Sequence, residues 1–269
     1  MFQNETVMIP PLVAAATRRW TRDGNPWVVL REHQSDSRIS DVVLAHLELD
    51  ALRSRLNVGC ARPLSRPQLV VLRAVRCDCG TSARALASRL RGQEKTVQKT
   101  LHSLEQLGYL ERHVSGSYRR RLGLRPIASR FISIEAKRSD WRAALAQAAA
   151  HTRFANESYV AFDAAYSTRF RKAQRHFEAM GIGLLALDAD TGELVQVTAA
   201  RAHLRTNPLS VAMACEQMLA TLHNPTRLPQ TTLPNVSAQF EGRATARPVG
   251  GCRRTLLRLL PFAAQPSSA

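Results

Sequence analysis

Two short apolar segments that each carry charged residues constrain this chain more than any other feature. Asp41 lies in the segment 38–44, and Glu135 and Lys137 end the segment 131–137. Side chains alternate between the faces of a β-strand, so Glu135 and Lys137 are expected to share one face. Burying a lysine beside acids is costly unless the charges compensate one another. Carboxylates are the ligands that Mg²⁺ prefers, so these residues predict a metal site beside a phosphodiester.

The order and spacing of these residues resemble the PD-(D/E)XK nuclease superfamily, nearest to its branch with a Q-x-x-x-Y helix. The resemblance implies an α/β fold with a restriction-endonuclease-like core, in which helices flank a mixed sheet. It also implies hydrolysis of phosphodiester bonds with Mg²⁺ or Mn²⁺ as the cofactor. In such a site Asp41, Glu135 and the carbonyl of Ala136 would bind the metal, and Lys137 would position the attacking water.

A helix is predicted over residues 139–151, directly after the second acidic strand. Gln147 matches the glutamine of the family's helix and would fix the lysine or a phosphate. The position of the family's tyrosine is His151, which is a departure from the pattern. Gln147 and His151 lie four residues apart and so share one helix face, where they are alternatively only the polar stripe of an alanine-rich helix. Two further candidate acids are Glu5 in a predicted first helix and Glu32 on the strand before Asp41.

Residues 64–123 interrupt this core with three predicted helices and a basic hairpin. The third helix has an apolar stripe that ends at Gly108, and the hairpin turns at 115–117. This arrangement resembles a MarR-like winged helix-turn-helix domain, which implies DNA binding. The alternative is a protein-interaction module. The candidate DNA contacts are basic or small polar residues of the third helix and the wing: Lys95, Thr96, Lys99, His102, Ser103, Arg119, Arg120 and Arg121.

The charge of the chain agrees with a nucleic-acid partner. A formal net charge of +17 and a sequence pI near 11.1 favour a polyanion such as DNA. Five cysteines with irregular spacing favour a reducing, cytoplasmic environment over a disulfide framework. No apolar run is long enough to cross a bilayer, so a membrane partner is not expected.

These patterns predict a nuclease-like core in two parts, residues 1–50 and 124–204, with the winged-helix domain inserted between them. A C-terminal helix is predicted over 205–223. It would form either a lid or a homodimer contact. Residues 224–269 are expected to form a disordered basic tail. The sequence therefore predicts a DNA-binding, metal-dependent nuclease. The alternative is a winged-helix transcription regulator, or a DNA-binding scaffold, with an inactive nuclease fold.

Overall fold

The structure is a computed structural model, and its described residues divide into two compact units. These residues are 1–21, 26–35, 38–57, 59–60, 62–77, 79–121, 125–203 and 206–223. The predicted tail, 224–269, lies outside them. The first unit contains the residues up to Leu47 and those from Ala128 onward, and the second contains Glu48–Ile127.

The first unit is built on a mixed six-stranded sheet with helices on its flanks, which confirms the predicted α/β class. With elements numbered along the whole chain, its strands are β1 (Trp27–Ser35), β2 (Arg38–Leu47), β5 (Ala128–Lys137), β6 (Glu157–Asp163), β7 (Gly183–Leu187) and β8 (Leu194–Thr198). Its α-helices are α1 (Glu5–Trp20), α6 (Trp141–His151), α7 (Ser167–Met180) and α8 (Pro208–His223).

The strand order brings the ends of β2 and β5 together. The sheet runs β1-β2-β5-β6-β7-β8, with β5, β6 and β7 mutually parallel and the remaining pairs antiparallel. Because β5 and β6 are parallel, their carboxyl ends meet at one edge of the sheet. Lys137 is the last residue of β5, so it lies at this edge.

Strand β5 is covered on both faces, and the two faces have different cores. On one face Ile132 and Ile134 pack with Met8 and Leu12 of α1. On the other face α6 and α7 cover β6 and β7 through a second cluster that includes Val160 of β6. Glu135 is the register partner of Val160, so it projects toward α6 and α7. Because β5 is covered on both faces, the Glu135 side chain is shielded from water.

The helix α8 packs on the outer strand β1 of the same chain. Ala214, Met218 and Leu219 are buried there, so the apolar side of α8 is covered by its own unit. No helix in the described part of the chain is both long enough and apolar enough to cross a membrane.

The second unit consists of helices followed by a β-hairpin. Its elements are α2 (Leu49–Asn57), α3 (Arg66–Ala74), α4 (Ala83–Leu90), α5 (Glu94–Gln106), β3 (Leu110–Arg112) and β4 (Tyr118–Arg120). Thr81 forms an isolated antiparallel bridge with Tyr118 and so adds to the hairpin. The unit is longer than the predicted 64–123 because it includes α2, whose buried Arg55 donates a hydrogen bond of 2.7 Å to the Tyr109 hydroxyl.

Candidate active site

Asp41 and Glu135 come together across the antiparallel pair of β2 and β5. Val42 is paired with Ile134, so Asp41 and Glu135 are the next residues along each strand and lie on the same side of the sheet. The Ala136 amide donates a hydrogen bond of 2.8 Å to Asp41 Oδ2. The two acids, although far apart in sequence, are therefore held as neighbours by the strand register.

Lys137 lies between two carboxylates at the end of β5. Its Nζ is 2.8 Å from Glu5 Oε2 and 3.7 Å from Glu135 Oε1. Burial alone lowers the pKa of the Lys137 ammonium, but the hydrogen bond to Glu5 and the surrounding carboxylates outweigh burial and raise it. Glu5 stands in the first turn of α1, which begins where Asn4 Oδ1 accepts the Val7 amide at 3.0 Å. The lysine is therefore charged and held in place.

Glu135 is the most buried acid of this group. Only 2 % of its surface is exposed, and its Oε2 has no hydrogen-bond partner. Burial and the negative charge of Asp41 raise the pKa of the Glu135 carboxyl to about 8, although Lys137 opposes the shift. A buried carboxylate oxygen without a donor is costly unless something satisfies it.

Glu32 is an additional acid near Asp41. Burial raises the pKa of Asp41 most, the Ala136 amide and Lys137 lower it, and the charges of Glu5 and Glu32 raise it further. Glu32 has a φ of 47°, in the left-handed region that is unfavourable for a residue with a side chain. This backbone strain lies within β1, beside the strand that carries Asp41.

The electrostatic balance of the site fits a divalent cation. Four carboxylates, those of Glu5, Glu32, Asp41 and Glu135, interact with one another or with the single ammonium of Lys137. A cation would relieve this excess of negative charge, and Mg²⁺ needs only one or two protein carboxylates. Among the described residues no group of three or more His, Cys, Asp and Glu side chains is arranged to surround a metal. The metal cofactor therefore stays a prediction.

Ala136 contributes to the site through its amide. The predicted contribution was its carbonyl, as a metal ligand, whereas the contact made in the structure is the donation from its N–H to Asp41. The amide sets the position of the Asp41 carboxylate, and the role of the carbonyl stays a prediction.

Gln147 lies on α6 near the level of Glu135. The Ser158 hydroxyl donates to the Ala148 carbonyl at 2.8 Å and accepts from the Ser133 hydroxyl at 3.0 Å. Ala148 is therefore level with Ser133, two residues before Glu135 on β5. Gln147 Oε1 is buried without a hydrogen-bond partner, and the side chain makes no hydrogen bond to Lys137. A hydrogen bond from Lys137 to Gln147 Oε1 is therefore not made, and the predicted role of Gln147 stays a prediction.

His151 belongs to a different environment from the acids. Its ring centroid is 6.0 Å from that of Phe154, and Phe154 also contacts the rings of His33 at 6.1 Å and Phe131 at 5.9 Å. Phe131 lies four residues before Glu135, which is about 13 Å along an extended strand. The structure places His151 in this buried aromatic cluster and not beside Lys137.

The candidate DNA contacts on α5 separate into exposed and half-buried residues. Val97, Leu101 and Leu104 are buried against the rest of the unit, as the apolar stripe predicts. The exposed set on the opposite side is Lys95, Thr96, Lys99 and His102. Ser103 instead is half-buried, and its hydroxyl accepts a hydrogen bond of 3.1 Å from Gln68 of α3. Ser103 is therefore turned toward the interior of the unit.

The three arginines of the predicted wing, which is the β3–β4 hairpin, are not equivalent in the structure. Arg119 and Arg121 are exposed and lie 3.5 Å and 3.3 Å from the carboxylate of Glu111. Arg120 is half-buried, and its amide donates to the Arg76 carbonyl at 3.3 Å. Two of the three predicted wing contacts thus point to the surface, where a glutamate of the same hairpin neutralises part of their charge.

Asp163 was not among the predicted site residues. This fully buried acid accepts the Phe2 amide at 2.8 Å and the Ala165 amide at 3.0 Å. These hydrogen bonds fix the segment before α1 at the edge of the sheet where Lys137 lies. This segment leads directly to Glu5, the first residue of α1. An acid that directly ends an apolar strand, here 159–162, is the sequence signal that identifies it.

Comparisons with known proteins identify no relative. No protein-family model, no curated protein and no solved structure matches this chain.

Proposed function

We propose that this protein is a metal-dependent deoxyribonuclease with a restriction-endonuclease-like core and an inserted winged-helix domain. The observation that carries the proposal is the Asp41–Glu135–Lys137 arrangement. Two acids face each other across adjacent strands, the lysine lies 3.7 Å from Glu135, and one buried Glu135 oxygen has no partner. This arrangement agrees with the resemblance to the PD-(D/E)XK superfamily.

Each residue has a distinct role in the proposed reaction. Asp41 and Glu135 would hold a Mg²⁺ or Mn²⁺ ion, with Ala136 positioning Asp41 through its amide. Such an ion, when bound, neutralises a phosphate and lowers the pKa of a coordinated water. Lys137 would orient the attacking water and stabilise the developing negative charge. Glu5 would keep the lysine charged and in place through the contact of 2.8 Å.

The second unit supplies the proposed DNA targeting. The order of α3, α4 and α5 followed by the β3–β4 hairpin agrees with a winged helix, in which α5 is the recognition helix. Lys95 and Lys99 are exposed on α5, and Arg119 and Arg121 are exposed on the wing. Arginine and lysine at such positions bind backbone phosphates, and a side chain of α5 can reach a base edge.

The alternative, a regulator with an inactive core, does not account for the state of Glu135. A scaffold has no need for a buried acid that faces a second acid and leaves an oxygen without a donor. Such a group reduces stability unless a ligand satisfies it. A catalytic site tolerates this cost because the group acts on a substrate or a cofactor.

The test is cleavage by the purified full chain. Plasmid and single-stranded DNA are incubated with Mg²⁺, with Mn²⁺ and with EDTA, using the wild type and Lys137→Met. We expect cleavage by the wild type only with metal, and loss of cleavage in Lys137→Met with DNA affinity unchanged. Lys172→Met is the matched control because it removes an exposed lysine on α7, and it should cleave normally.

Two outcomes would contradict the proposed nuclease activity of this site. Equal cleavage by Lys137→Met and the wild type would show that the activity comes from another site or from a contaminant. DNA binding without metal-dependent cleavage by the wild type would support the regulator.

A further inference from the structure

An arginine pair with a shared aromatic ring lies beside the candidate active site. The guanidinium carbon of Arg138 is 5.6 Å from the centroid of the Tyr166 ring, and that of Arg169 is 5.7 Å from it. Tyr166 ends the short 3-10 helix Ala164–Tyr166, which connects β6 to α7. Arg138 directly follows Lys137, so this cluster borders the same edge of the sheet as the site.

Arg138 is held in position by its neighbours but is not neutralised. Its Nη1 donates to the Gln3 carbonyl at 2.6 Å, and its Nη2 donates to the Tyr166 hydroxyl at 3.0 Å. Its Nε is buried without a hydrogen-bond partner. Arg169 is exposed and contacts the Tyr166 ring. In the part of the chain that the structure describes, neither guanidinium forms an ion pair with a carboxylate.

The charges of Arg138 and Arg169 would favour the binding of a polyanionic substrate. The acids around Lys137 repel a DNA strand, so a nearby pair of arginine cations, of which Arg138 is held by hydrogen bonds, would offset that repulsion. Arginine suits this purpose because its planar donors match the oxygens of a phosphate, and a held guanidinium loses less entropy when it binds. The Tyr166 hydroxyl accepts from Arg138 and keeps its own proton to donate.

We propose that Arg138, Tyr166 and Arg169 form a binding site for a backbone phosphate of the DNA strand that the active site cleaves. The bound phosphate is a neighbour of the scissile one and fixes the register of the strand relative to Lys137. This proposal rests on the proposed nuclease function. It adds a substrate-binding site at the sheet edge that is separate from the recognition helix and the wing.

The experiment uses the full chain, a labelled 30-nucleotide DNA strand and the matching duplex. The variants are Arg169→Ala, Tyr166→Phe and the double variant Arg138→Ala/Arg169→Ala. Affinity is measured in EDTA over a range of salt concentrations, and cleavage kinetics are measured with Mg²⁺. The control is Arg18→Ala/Arg19→Ala, which removes two cations at the far end of α1, where Arg19 stacks on Trp20 at 5.2 Å in the same manner.

We expect Arg169→Ala to raise KM about 5- to 10-fold while kcat changes less than about 2-fold, because a contact to one phosphate among many is lost. The slope of log affinity against log salt should flatten by about 0.9 per lost contact on duplex and about 0.7 on the single strand. Tyr166→Phe should raise KM by a smaller factor. Arg138→Ala also releases the Gln3 carbonyl, so Arg169→Ala, which loses only a ring contact, is the decisive variant.

The experiment distinguishes a failure of the phosphate site from a failure of the proposed nuclease function. Unchanged KM and an unchanged salt slope in Arg169→Ala and in the double variant overturn the phosphate site and leave the nuclease intact. An equal effect of the Arg18→Ala/Arg19→Ala control also overturns it, since the effect would then be general electrostatics. Absence of cleavage by the wild type overturns the nuclease, while a flattened slope in EDTA still supports the phosphate site.

Discussion

The Ala136 amide donates a hydrogen bond of 2.8 Å to the Asp41 carboxylate. This contact joins β2 and β5 at the point where their antiparallel pairing carries both acids to the sheet edge. The hydrogen bond partly offsets the burial of Asp41 by lowering its pKa, although burial still keeps that pKa raised. The same backbone group therefore positions the acid and opposes its protonation.

Asp41→Asn should separate the charge of this residue from its hydrogen bond. The amide oxygen of the substituted side chain can still accept from the Ala136 N–H, so the fold should be retained. Metal-dependent cleavage should fall by about 100-fold or more, the size of effect expected when one electrostatic contact to the reacting groups is lost. The melting temperature should stay equal or rise, because repulsion between Asp41 and Glu135 is removed.

Calorimetry and a plasmid cleavage assay check this prediction together. Glu193→Gln is the control, since it removes one exposed carboxylate from the same unit. A lower melting temperature with the loss of cleavage would indicate a structural role for the Asp41 charge instead.

The fold could be predicted where each strand or helix carries its own pattern. The alternation in β5 and the apolar run of β6 are visible in the sequence, and the sheet contains both strands. The helix α7 was not predicted, although its buried residues Phe170, Ala173 and Phe177 have the i, i+3, i+7 spacing of an amphipathic helix. The edge strand β8 was missed because its residues are half-buried or exposed, so its hydrophobic signal is weak.

The site could be predicted only as far as strand position determines it. Glu135 and Lys137 share a strand, so their proximity follows from the sequence. The Asp41–Ala136 hydrogen bond depends on the β2–β5 register, and Tyr166 depends on how β6 turns into α7. Helix spacing alone does not place His151. It shares a helix face with Gln147, but one turn of a helix covers about 5.4 Å, which takes His151 away from the acids.

Glu135 should make the stability of the metal-free protein depend on pH. The pKa of this carboxyl is raised from 4.5 to about 8, so between these values the folded protein holds a proton that the unfolded chain has lost. Its contribution is therefore fully present below about pH 4.5 and is lost as the pH rises toward 8. The slope is at most about 1.4 kcal/mol per pH unit for one proton.

Urea unfolding in EDTA between pH 5 and pH 8 measures this effect. Trp20, Trp27 and Trp141 all lie in the first unit, so tryptophan fluorescence reports its unfolding alone. Glu135→Gln should remove the loss of stability with rising pH. If the wild type and this variant give parallel curves, the Glu135 carboxyl is ionised throughout the range.

His33 should produce the opposite pH dependence. Burial, and next to it the charge of His151, lower the pKa of the His33 ring from 6.5 to about 4. Below pH 6.5 the unfolded chain binds a proton that the folded chain excludes. The contribution of His33 is thus present above about pH 6.5 and is lost as the pH falls toward 4.

His33→Phe should flatten the acid side of the stability curve. Phenylalanine can keep the ring contact with Phe154 and has no proton to bind. The same fluorescence measurement from pH 7 to pH 4.5 checks this, with His176→Gln as an exposed histidine control. An equal acid slope in His33→Phe and the wild type would mean that His33 is protonated in the folded state.

Glu111→Gln should increase the affinity of the protein for DNA. Glu111 lies within 3.5 Å of Arg119 and 3.3 Å of Arg121, so it would compete with the phosphates of bound DNA for both arginines. These pairs are exposed, and exposed ion pairs contribute little to folding, so the melting temperature should change by less than about 2 °C. Affinity for duplex DNA should rise about 3- to 10-fold, and the salt dependence should steepen by up to about 0.9 per added phosphate contact.

Fluorescence anisotropy with a labelled duplex in EDTA measures this gain apart from cleavage. Glu193→Gln changes the net charge by the same amount in the other unit, so it reports the general electrostatic effect. The wing is a DNA contact if Glu111→Gln binds more tightly than Glu193→Gln and Arg119→Ala/Arg121→Ala binds more weakly than the wild type. Unchanged affinity and salt slope in both wing variants would instead identify the second unit as a protein-interaction module, because the arginines would then have no phosphate to release.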